Sequence, residues 1–555
     1  MKKMHALIAG IALLGAAACT DATLGWGDTE IHYARTEEPA FADQAFAYSA
    51  WRGERVNAEA VLWAPSGLQD VTVEAGALKS GKATIPAGAV KAQFVGYVTG
   101  DKLADGYNQC GKRNKEEWEA ISEADYIGVA EIVSLEAGEA QPIWVSVDIP
   151  RDAVPGTYAG KLKVKAKGAA ALSLPIELKV TDRVLPPASE WPFHLDLWQN
   201  PYSVARVGGV ELWSPEHFEL LRPVMENLVR AGQKVITATI MNRPWNGQTE
   251  DPFGPMATKT LKADGSWSYD YTAFDKWVEF MMGLGIDSQI NCYTMIPWAL
   301  TFDYYDEAKG CPATITADPG SKEYTAYWGS FIADFARHLK EKGWFEKTHI
   351  AMDERSEESM KAAIALIKSV DPDFKIALAG SYHESIADSI DDLCIGFHST
   401  FPEGVIEHRR SQGKISTYYT CCSEAYPNTF IASSPADASW IPWGALALGV
   451  DGYLRWAFNS WTEDPTHDAR FRSWAAGDCY MVYPEGRTGI RFEKLVEGLQ
   501  DVEKATVLRK EWGADPARTE DLAKLEKAIE AFNYLEITDN GASPAIKQAR
   551  EIINQ

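Results

Sequence analysis

The sequence predicts a multidomain chain made of an N-terminal β-sandwich, a central (β/α)8 barrel of the TIM type and a C-terminal helical segment. Three observations support this prediction. Short β-rich runs separated by turn residues fill the chain up to residue 185, and eight apolar runs then alternate with helical stretches. Charged, helix-forming sequence follows from residue 489. We place the parts at 1–19 (signal peptide), 25–185 (sandwich), 190–488 (barrel) and 489–555 (helical region).

The N-terminus has the features of a bacterial lipoprotein signal. Lys2 and Lys3 precede an apolar stretch over residues 6–18, which is too short to span a membrane. It ends in Ala16-Ala17-Ala18-Cys19, which resembles a lipobox, although Leu is more usual three residues before the cysteine. We expect Cys19 to carry a lipid that anchors the protein in the bacterial cell envelope and is its only contact with the membrane. The alternative is an ordinary secretory signal followed by an incidental cysteine.

The sandwich prediction is based on short runs with alternating or β-branched residues. The clearest is Lys161–Lys165, where lysines alternate with apolar residues, as in a strand with one solvated face. Similar runs cover residues 56–63, 71–74, 92–97 and 142–147. Two prolines stiffen the segment 184–189, and no apolar periodicity crosses it, so we place the domain boundary there.

The barrel prediction is based on strands that alternate with helices after Pro192. The predicted strands are Phe193–Leu197, Val235–Ile240, Asp287–Cys292, His349–Met352, Lys375–Ala379, Leu393–Phe397, Ile415–Tyr419 and Gly452–Ala457. The predicted helices include Pro215–Ala231, Tyr271–Leu284, Lys322–Lys342 and Glu357–Ser369. Two further helices, Arg491–Lys510 and Thr519–Leu535, form the C-terminal region, which we expect to pack on the barrel or on its neighbour.

Charge and cysteine spacing exclude several functions. A net charge of −24 without a basic cluster argues against a nucleic-acid partner. No His or Cys cluster has zinc-ligand spacing, so we predict no metal and no cofactor. Beyond Cys19 the cysteines are widely spaced, and Cys292 with Cys311 is the most plausible disulfide, whereas the adjacent Cys421 and Cys422 cannot form an unstrained bridge.

Two consecutive acids, Asp353 and Glu354, follow the fourth predicted barrel strand. Catalytic residues of such barrels lie just past the C-terminal ends of the strands. Adjacent buried acids repel each other, so such a pair is tolerated mainly where one acid stays protonated. A glycosidase needs one neutral acid and one anion in this way. The alternative is that Asp353 caps the helix beginning near Ser356 and that Glu354 is simply solvated.

Other strand ends carry aromatic and amide side chains, which suit a neutral, polyhydroxylated ligand. Each of them, taken alone, is more often a packing or capping residue than a ligand contact. The candidate substrate-binding residues are Trp198, Asn242, Tyr293, His398, Tyr418, Tyr419, Trp456 and Asn459.

Three segments together resemble glycoside hydrolase family 123, whose catalytic region is shared with the DUF4091 domain. They are Ala351–Arg355, the run Gly452–Trp461 and the stretch Gly489–Asp501, in the order expected for that family. The resemblance covers most of the chain after about residue 190 and, more loosely, the sandwich before it. Two departures concern the supporting helix, where Arg487-Thr488-Gly489 replaces a Ser-containing turn and Val502 replaces a common aromatic residue.

This resemblance implies a retaining exo-β-N-acetylgalactosaminidase that uses substrate-assisted catalysis. In that mechanism the 2-acetamido oxygen of the substrate attacks the anomeric carbon and forms an oxazolinium ion. Asp353 would orient the acetamido N–H, and Glu354 would act as general acid and then as general base. A tyrosine hydroxyl near the acetamido oxygen is also expected, with Tyr293, Tyr382, Tyr418 and Tyr419 as candidates.

Two alternatives remain open at this point. A glycosidase of the same fold could act on a different sugar, because the loops that select the sugar cannot be interpreted from the sequence. A surface lipoprotein could also bind glycans without hydrolysing them, although the intact acid pair argues against it. In each case the expected partner is an oligosaccharide or glycoconjugate.

Overall fold

A computed structural model describes residues 21–42, 46–103, 110–111 and 114–555. The predicted signal segment and Cys19 lie outside these residues. Within the described ranges, we found no helix with the length and apolar character that a membrane crossing requires.

The N-terminal strands form two sheets that pack face to face. One sheet has the order β1-β3-β10-β7-β8, and the other has the order β2-β12-β11-β4-β9, with β5 and β6 attached to β11. The strands are β1 (Thr23–Trp26), β2 (Phe46–Arg52), β3 (Arg55–Ala64), β4 (Leu68–Ala75), β5 (Leu78–Ser80), β6 (Ala83–Ile85), β7 (Val90–Asp101), β8 (Ala120–Ile127), β9 (Val133–Leu135), β10 (Glu139–Asp148), β11 (Gly156–Lys165) and β12 (Leu172–Val184).

Alternation along these strands produces the sandwich core. In β11, Leu162 and Val164 are buried, whereas the lysines beside them point to solvent. These two residues pack in one cluster with inward-facing residues of the opposite sheet, such as Ile143 and Val145 of β10. The predicted β-sandwich is therefore confirmed.

The second part is a parallel eight-stranded barrel with a small mixed sheet inserted at its rim. The strands of this part are β13 (His194–Leu197), β14 (Val235–Thr239), β15 (Thr258–Leu261), β16 (Trp267–Asp270), β17 (Gln289–Tyr293), β18 (Thr301–Asp306), β19 (Cys311–Thr316), β20 (Thr348–Met352), β21 (Lys375–Gly380), β22 (Asp392–Gly396), β23 (Ile415–Tyr419) and β24 (Gly452–Arg455). Strands β15, β16, β18 and β19 form the insertion, and the other eight form the barrel in the order β13-β24-β23-β22-β21-β20-β17-β14. Contacts between β13 and β14 close the ring, and a bridge joins Leu195 of β13 to Gln233, two residues before β14. All eight predicted barrel strands are present.

Helices cover the outside of the barrel and form the C-terminal region. They are α1 (Pro201–Gly208), α2 (Pro215–Ala231), α3 (Thr272–Gly283), α4 (Lys322–Lys342), α5 (Glu357–Val370), α6 (Glu384–Ala387), α7 (Val405–Ser411), α8 (Pro435–Leu448), α9 (Ile490–Ala514), α10 (Thr519–Glu530), α11 (Tyr534–Asn540) and α12 (Ser543–Ile553). Short 3-10 turns occupy Ala87–Ala89, Lys115–Glu117, Ala188–Glu190, Phe345–Lys347, Pro484–Gly486 and Pro516–Arg518.

Helix α9 joins the sandwich to the barrel. Its buried Arg491 pairs with Asp125 of β8 at 2.9 Å, and its buried Lys504 pairs with Glu54, which lies between β2 and β3. Gly498 of α9 lies directly against α8, because a methyl group there would come within 2.3 Å of the Ser439 carbonyl oxygen. Much of the family-like stretch Gly489–Asp501 therefore forms this interface.

The disulfide prediction is wrong. Cys292 is buried inside the barrel strand β17, whereas Cys311 is exposed at the start of β19, and both are free thiols. The structure instead joins Cys110, in the segment between β7 and β8, to Cys422, in the loop after β23. This bond ties the sandwich to the barrel across 312 residues of sequence, and such a pairing cannot be deduced from cysteine spacing.

Candidate active site

The acid pair lies in a pocket at the C-terminal end of the barrel, where such barrels place their catalytic groups. The pocket has a volume of about 380 Å³, which is at the small end of the range for small-molecule sites. It is lined by Cys110, Trp198, Trp245, Gln248, Trp298, Asp353, Glu354, Arg355, Ala379, Tyr419, Cys421, Cys422, Ser423, Leu454, Trp456 and Trp474.

Strand β20 ends at Met352 and delivers the two acids directly to the pocket. Asp353 is buried, whereas Glu354 is exposed. The N-cap of helix α5 is Ser356, whose hydroxyl accepts the backbone N–H of Ser359. The alternative in which Asp353 caps this helix is therefore wrong.

The Asp353 carboxylate is held on one side and unsatisfied on the other. The Trp298 indole N–H donates to Oδ2 at 2.7 Å. Oδ1 is buried and has no hydrogen bond of ordinary length among the described residues, although the Trp245 indole N–H lies close enough to the carboxylate to lower its pKa. Burial raises the pKa of Asp353 from its ordinary 3.8 to about 6; Glu354 adds to this rise, and the Trp298 N–H and the Arg355 guanidinium oppose it. Asp353 is therefore a carboxyl that ionises less readily than a free aspartate.

Glu354 points toward a different part of the barrel. The Tyr419 hydroxyl at the end of β23 donates a hydrogen bond to it. Its backbone and Cγ lie against Gly380 at the end of β21, where an added methyl group would be 3.4 Å from Cγ. Asp353 therefore faces the loops after β14 and β17, whereas Glu354 faces the ends of β21 and β23.

Indole rings form much of the pocket wall. Trp198 and Trp245 stack with ring centres 4.9 Å apart, and Trp298 carries the N–H that binds Asp353. Trp456 follows β24, the neighbour of β13 in the barrel, and donates from its indole to the buried Asp478 at 3.3 Å. Flat apolar walls with few polar groups suit the C–H face of a sugar ring.

Three of the eight predicted binding residues line the pocket, namely Trp198, Tyr419 and Trp456. Tyr293 lies beneath its floor, packed against Trp198 and Trp245. Tyr418 faces away because side chains alternate along β23, and its hydroxyl donates to the Ile441 carbonyl in helix α8.

The other three lie elsewhere for separate reasons. The side-chain amide of Asn459 is fully buried and bonded to the backbone of Asn200, so it supports the loop after β13 and does not contact the pocket. Asn242 donates to Asp303 in the inserted sheet. His398 is exposed on the rim, where its ring contacts Tyr534 of α11.

Several pocket residues were not among the predicted candidates. Trp245 and Trp298 follow the second and third barrel strands, so the rule that places reactive residues at strand ends could have found them. Arg355 carried the same signal, because it follows the acid pair at the end of β20. Gln248 and Trp474 carried no such signal, and Trp474 reaches the pocket from the long loop after β24.

Three cysteines also border the pocket. The sulfur atoms of Cys110, Cys421 and Cys422 lie within 4.8 Å of one another. Two of them form the disulfide, and burial raises the pKa of the Cys421 thiol to about 12, with Glu424 adding to the rise. This group therefore offers neither the three thiolates of a metal site nor a nucleophile.

A larger cleft of about 800 Å³ lies between the sandwich and the barrel loops. Its three arginines already pair with carboxylates, Arg35 with Glu139, Arg206 with Asp251 and Arg487 with Glu485. These charges are compensated, and of the two cavities only the smaller pocket contains the acid pair at the end of a barrel strand, so the smaller pocket is the candidate active site.

Comparisons with known proteins found matches to both the N-terminal part and the barrel of this chain. A model of the glycoside hydrolase 123 catalytic domain matches residues 198–508, and a model of the glycoside hydrolase 123 N-terminal domain matches residues 26–166. Among solved structures, a family 123 glycoside hydrolase from Clostridium perfringens, studied for the details of glycolipid glycan hydrolysis, has a TM-score of 0.87 at 27% identity. The match covers 96% of this chain and 98% of that one. A putative glycoside hydrolase from Bacteroides vulgatus ATCC 8482 matches with a TM-score of 0.32 at 10% identity, covering 84% of this chain and 78% of that one. A search of curated proteins found no match.

Proposed function

Since the chain belongs to glycoside hydrolase family 123, we propose that it removes terminal β-linked N-acetylgalactosamine from glycans with retention of configuration. The nucleophile in this proposal is the substrate's own 2-acetamido oxygen. The alternative is a glycosidase of this family with another sugar specificity.

One observation supports the proposed mechanism most directly. Among the described residues that line the pocket, Asp353 and Glu354 are the only carboxylates, and they are neighbours in the chain. An ordinary retaining glycosidase places an acid and a nucleophilic carboxylate on opposite sides of the scissile bond, about 5 Å apart. Two adjacent residues that point to different parts of the barrel favour another division of labour, in which the substrate supplies the nucleophile.

Asp353 is suited to hold the acetamido group. Its unsatisfied Oδ1 would accept the acetamido N–H, while Trp298 fixes the other oxygen. As the oxazolinium ion forms, positive charge develops on that nitrogen, and the ionised carboxylate beside it lowers the barrier. The surrounding indoles exclude water, which strengthens this interaction.

Glu354 is suited to move the proton. It is exposed in the pocket and can reach the glycosidic oxygen as general acid, then activate water as general base for the second step. The Tyr419 hydroxyl holds it in place. Of the four tyrosines considered from the sequence, only Tyr419 lines the pocket. Its hydroxyl is bonded to Glu354 and not placed on the Asp353 side, where the acetamido group would lie, so we assign Tyr419 to positioning Glu354 and not to the acetamido oxygen.

Release of p-nitrophenol from aryl β-GalNAc, β-GlcNAc and β-galactoside tests the reaction. We expect β-GalNAc to be hydrolysed fastest and the β-galactoside not at all, since it has no acetamido group. Hydrolysis of the galactoside at an equal rate would contradict the substrate-assisted mechanism.

The roles of the acids are tested by Glu354→Gln and Asp353→Asn. Each should lower kcat by at least about 100-fold. The matched control is Glu358→Gln, since Glu358 is an exposed acid on the adjoining helix and does not line the pocket. Full activity in either acid variant would remove that residue from its role.

We also infer that the mature protein is a lipoprotein of the bacterial cell envelope, attached through Cys19. The inference is based on the lipobox-like segment alone. Metabolic labelling with a fatty acid should mark the wild-type protein and leave Cys19→Ser unlabelled; equal labelling of both would refute it.

A further inference from the structure

Three aromatic side chains form an exposed group on the barrel rim outside the pocket. We refer to His398, Tyr426 and Tyr534 as the rim aromatic cluster. The Tyr534 ring lies 5.0 Å from His398 and 6.4 Å from Tyr426, and the two phenol rings are nearly parallel, at 16°. Tyr426 is 37% exposed and Tyr534 is 45% exposed.

The cluster brings three separate parts of the chain together. His398 follows β22, Tyr426 belongs to the loop after β23, and Tyr534 begins helix α11 of the C-terminal region. Phe397, with its ring centre 5.9 Å from that of Tyr534, anchors the cluster to the barrel. An exposed aromatic surface assembled from three segments at an active-site rim is a typical ligand-binding feature.

The cluster lies on the Glu354 side of the pocket. Tyr419, which binds Glu354, also lies against Gly396, because a methyl group there would be 3.4 Å from its hydroxyl. Gly396 is the last residue of β22, two residues before His398. Asp353 and its indole partner lie toward β17, on the other side.

This placement identifies what the cluster would contact. The general acid protonates the oxygen that joins the departing sugar to the rest of the glycan, so the leaving group extends past Glu354. The acetamido sugar occupies the Asp353 side. We propose that the rim aromatic cluster is the binding site for the sugar on the leaving-group side, an inference that rests on the roles proposed for Asp353 and Glu354.

The chemistry of the cluster favours an uncharged sugar. Phenol faces pack against the C–H face of a pyranose, and the phenol and imidazole polar groups can bond its hydroxyls. Two exposed acids lie on the same segments, Glu403 five residues after His398 and Glu536 two residues after Tyr534. These charges would repel an anionic sugar or an anionic lipid headgroup.

Substrates with different leaving groups test the proposal. One is a β-GalNAc–galactose disaccharide, and the other is β-GalNAc fluoride, which offers no ring to the cluster. We expect Tyr534→Leu to lower kcat/KM for the disaccharide by about 3- to 10-fold, as expected for loss of one aromatic contact, and to leave the fluoride within about twofold. His398→Ala, which leaves the sequence of α11 unchanged, should likewise lower kcat/KM for the disaccharide and leave kcat/KM for the fluoride nearly unchanged.

The matched control is Tyr305→Leu, because Tyr305 is an equally exposed tyrosine (44%) on the inserted strand β18. Tyr305→Leu should leave kcat/KM unchanged for both the disaccharide and the fluoride. Equal loss on both substrates, or no loss on either, in Tyr534→Leu and His398→Ala would overturn the proposal. If the wild-type protein hydrolyses both the fluoride and the disaccharide poorly or not at all, the proposed function itself fails. That result differs from one in which the wild-type protein is active and the variants hydrolyse both substrates as it does, which overturns only the role of the cluster. Loss of binding to phosphatidylcholine vesicles by Tyr534→Leu, with both substrates hydrolysed as by the wild type, would overturn the proposal and assign the cluster to lipid.

Discussion

Asp353→Asn should make the protein more stable at neutral pH while abolishing its activity. The folded protein holds the Asp353 carboxyl in a buried site that raises its pKa from 3.8 to about 6. A rise of roughly two pKa units, at about 1.4 kcal/mol each, corresponds to about 3 kcal/mol. At pH 7 the wild-type protein carries this cost, because the group is ionised in both the folded and the unfolded chain. Asparagine has nearly the same shape and can still accept the Trp298 N–H, but it has no charge to bury.

The sign of the pH dependence of stability distinguishes the cost of burying the Asp353 charge from other effects of the substitution. A carboxyl whose pKa is raised on folding contributes stability below pH 4, and that contribution is lost as pH rises through about 6. The advantage of Asp353→Asn should therefore approach about 3 kcal/mol at pH 7 and shrink toward pH 4. Urea unfolding followed by tryptophan fluorescence at several pH values measures it, as the difference from wild type at each pH. Glu358→Gln controls for removal of an exposed charge on the next helix. An Asp353→Asn protein no more stable than wild type at pH 7, or with an advantage independent of pH, would refute the reasoning.

Three further predictions follow from the same contacts. The kcat/KM for aryl β-GalNAc should fall as pH drops below about 6, because protonated Asp353 no longer stabilises the developing cation; a rate unchanged down to pH 5 would contradict its role. Gly498→Ala should destabilise the protein by about 1–3 kcal/mol in urea unfolding, because the new methyl group would meet the Ser439 carbonyl. The control is Gly513→Ala on the same helix, where the new methyl group meets nothing within 4 Å, and it should be neutral or mildly stabilising. Equal effects would show that α8 and α9 are not in contact there. Cys110→Ser should lower the unfolding midpoint and raise KM, because it removes the Cys110–Cys422 disulfide. A reductant should reproduce both effects in the wild-type protein and have no effect on the variant. A wild-type protein that is insensitive to the reductant would argue that this disulfide is absent in solution.

The barrel was largely predictable because its signals are local. Each parallel strand is a short apolar run between helices, and the strand–helix alternation fixes where the strands end. That rule alone brings Asp353 and Glu354 to the rim. The Ser356 cap could also be expected from its position before a helical run, although only the structure excludes Asp353 as the cap.

Side-chain roles at the strand ends were less predictable because they depend on facing direction and on distant partners. Tyr418 and Tyr419 are adjacent, and alternation sends one to helix α8 and the other to the pocket, but the sequence does not say which. Asn459 resembles a ligand contact, yet its amide is fully used by the loop around Asn200.

Contacts between segments that are far apart in the chain could not be predicted from the sequence. The Cys110–Cys422 bond and the meeting of Tyr534 with His398 join residues whose separation along the chain carries no pattern. These contacts bring the sandwich and the C-terminal region to the active site of the barrel.

The most direct test of substrate-assisted catalysis is a crystal structure with GalNAc-thiazoline, a mimic of the oxazolinium intermediate. We expect the thiazoline nitrogen to lie about 2.7–3.2 Å from an Asp353 carboxylate oxygen, with Glu354 near the anomeric carbon on the side of Tyr419. A complex in which the nitrogen has no contact with Asp353, or in which the sugar lies outside this pocket, would contradict the account.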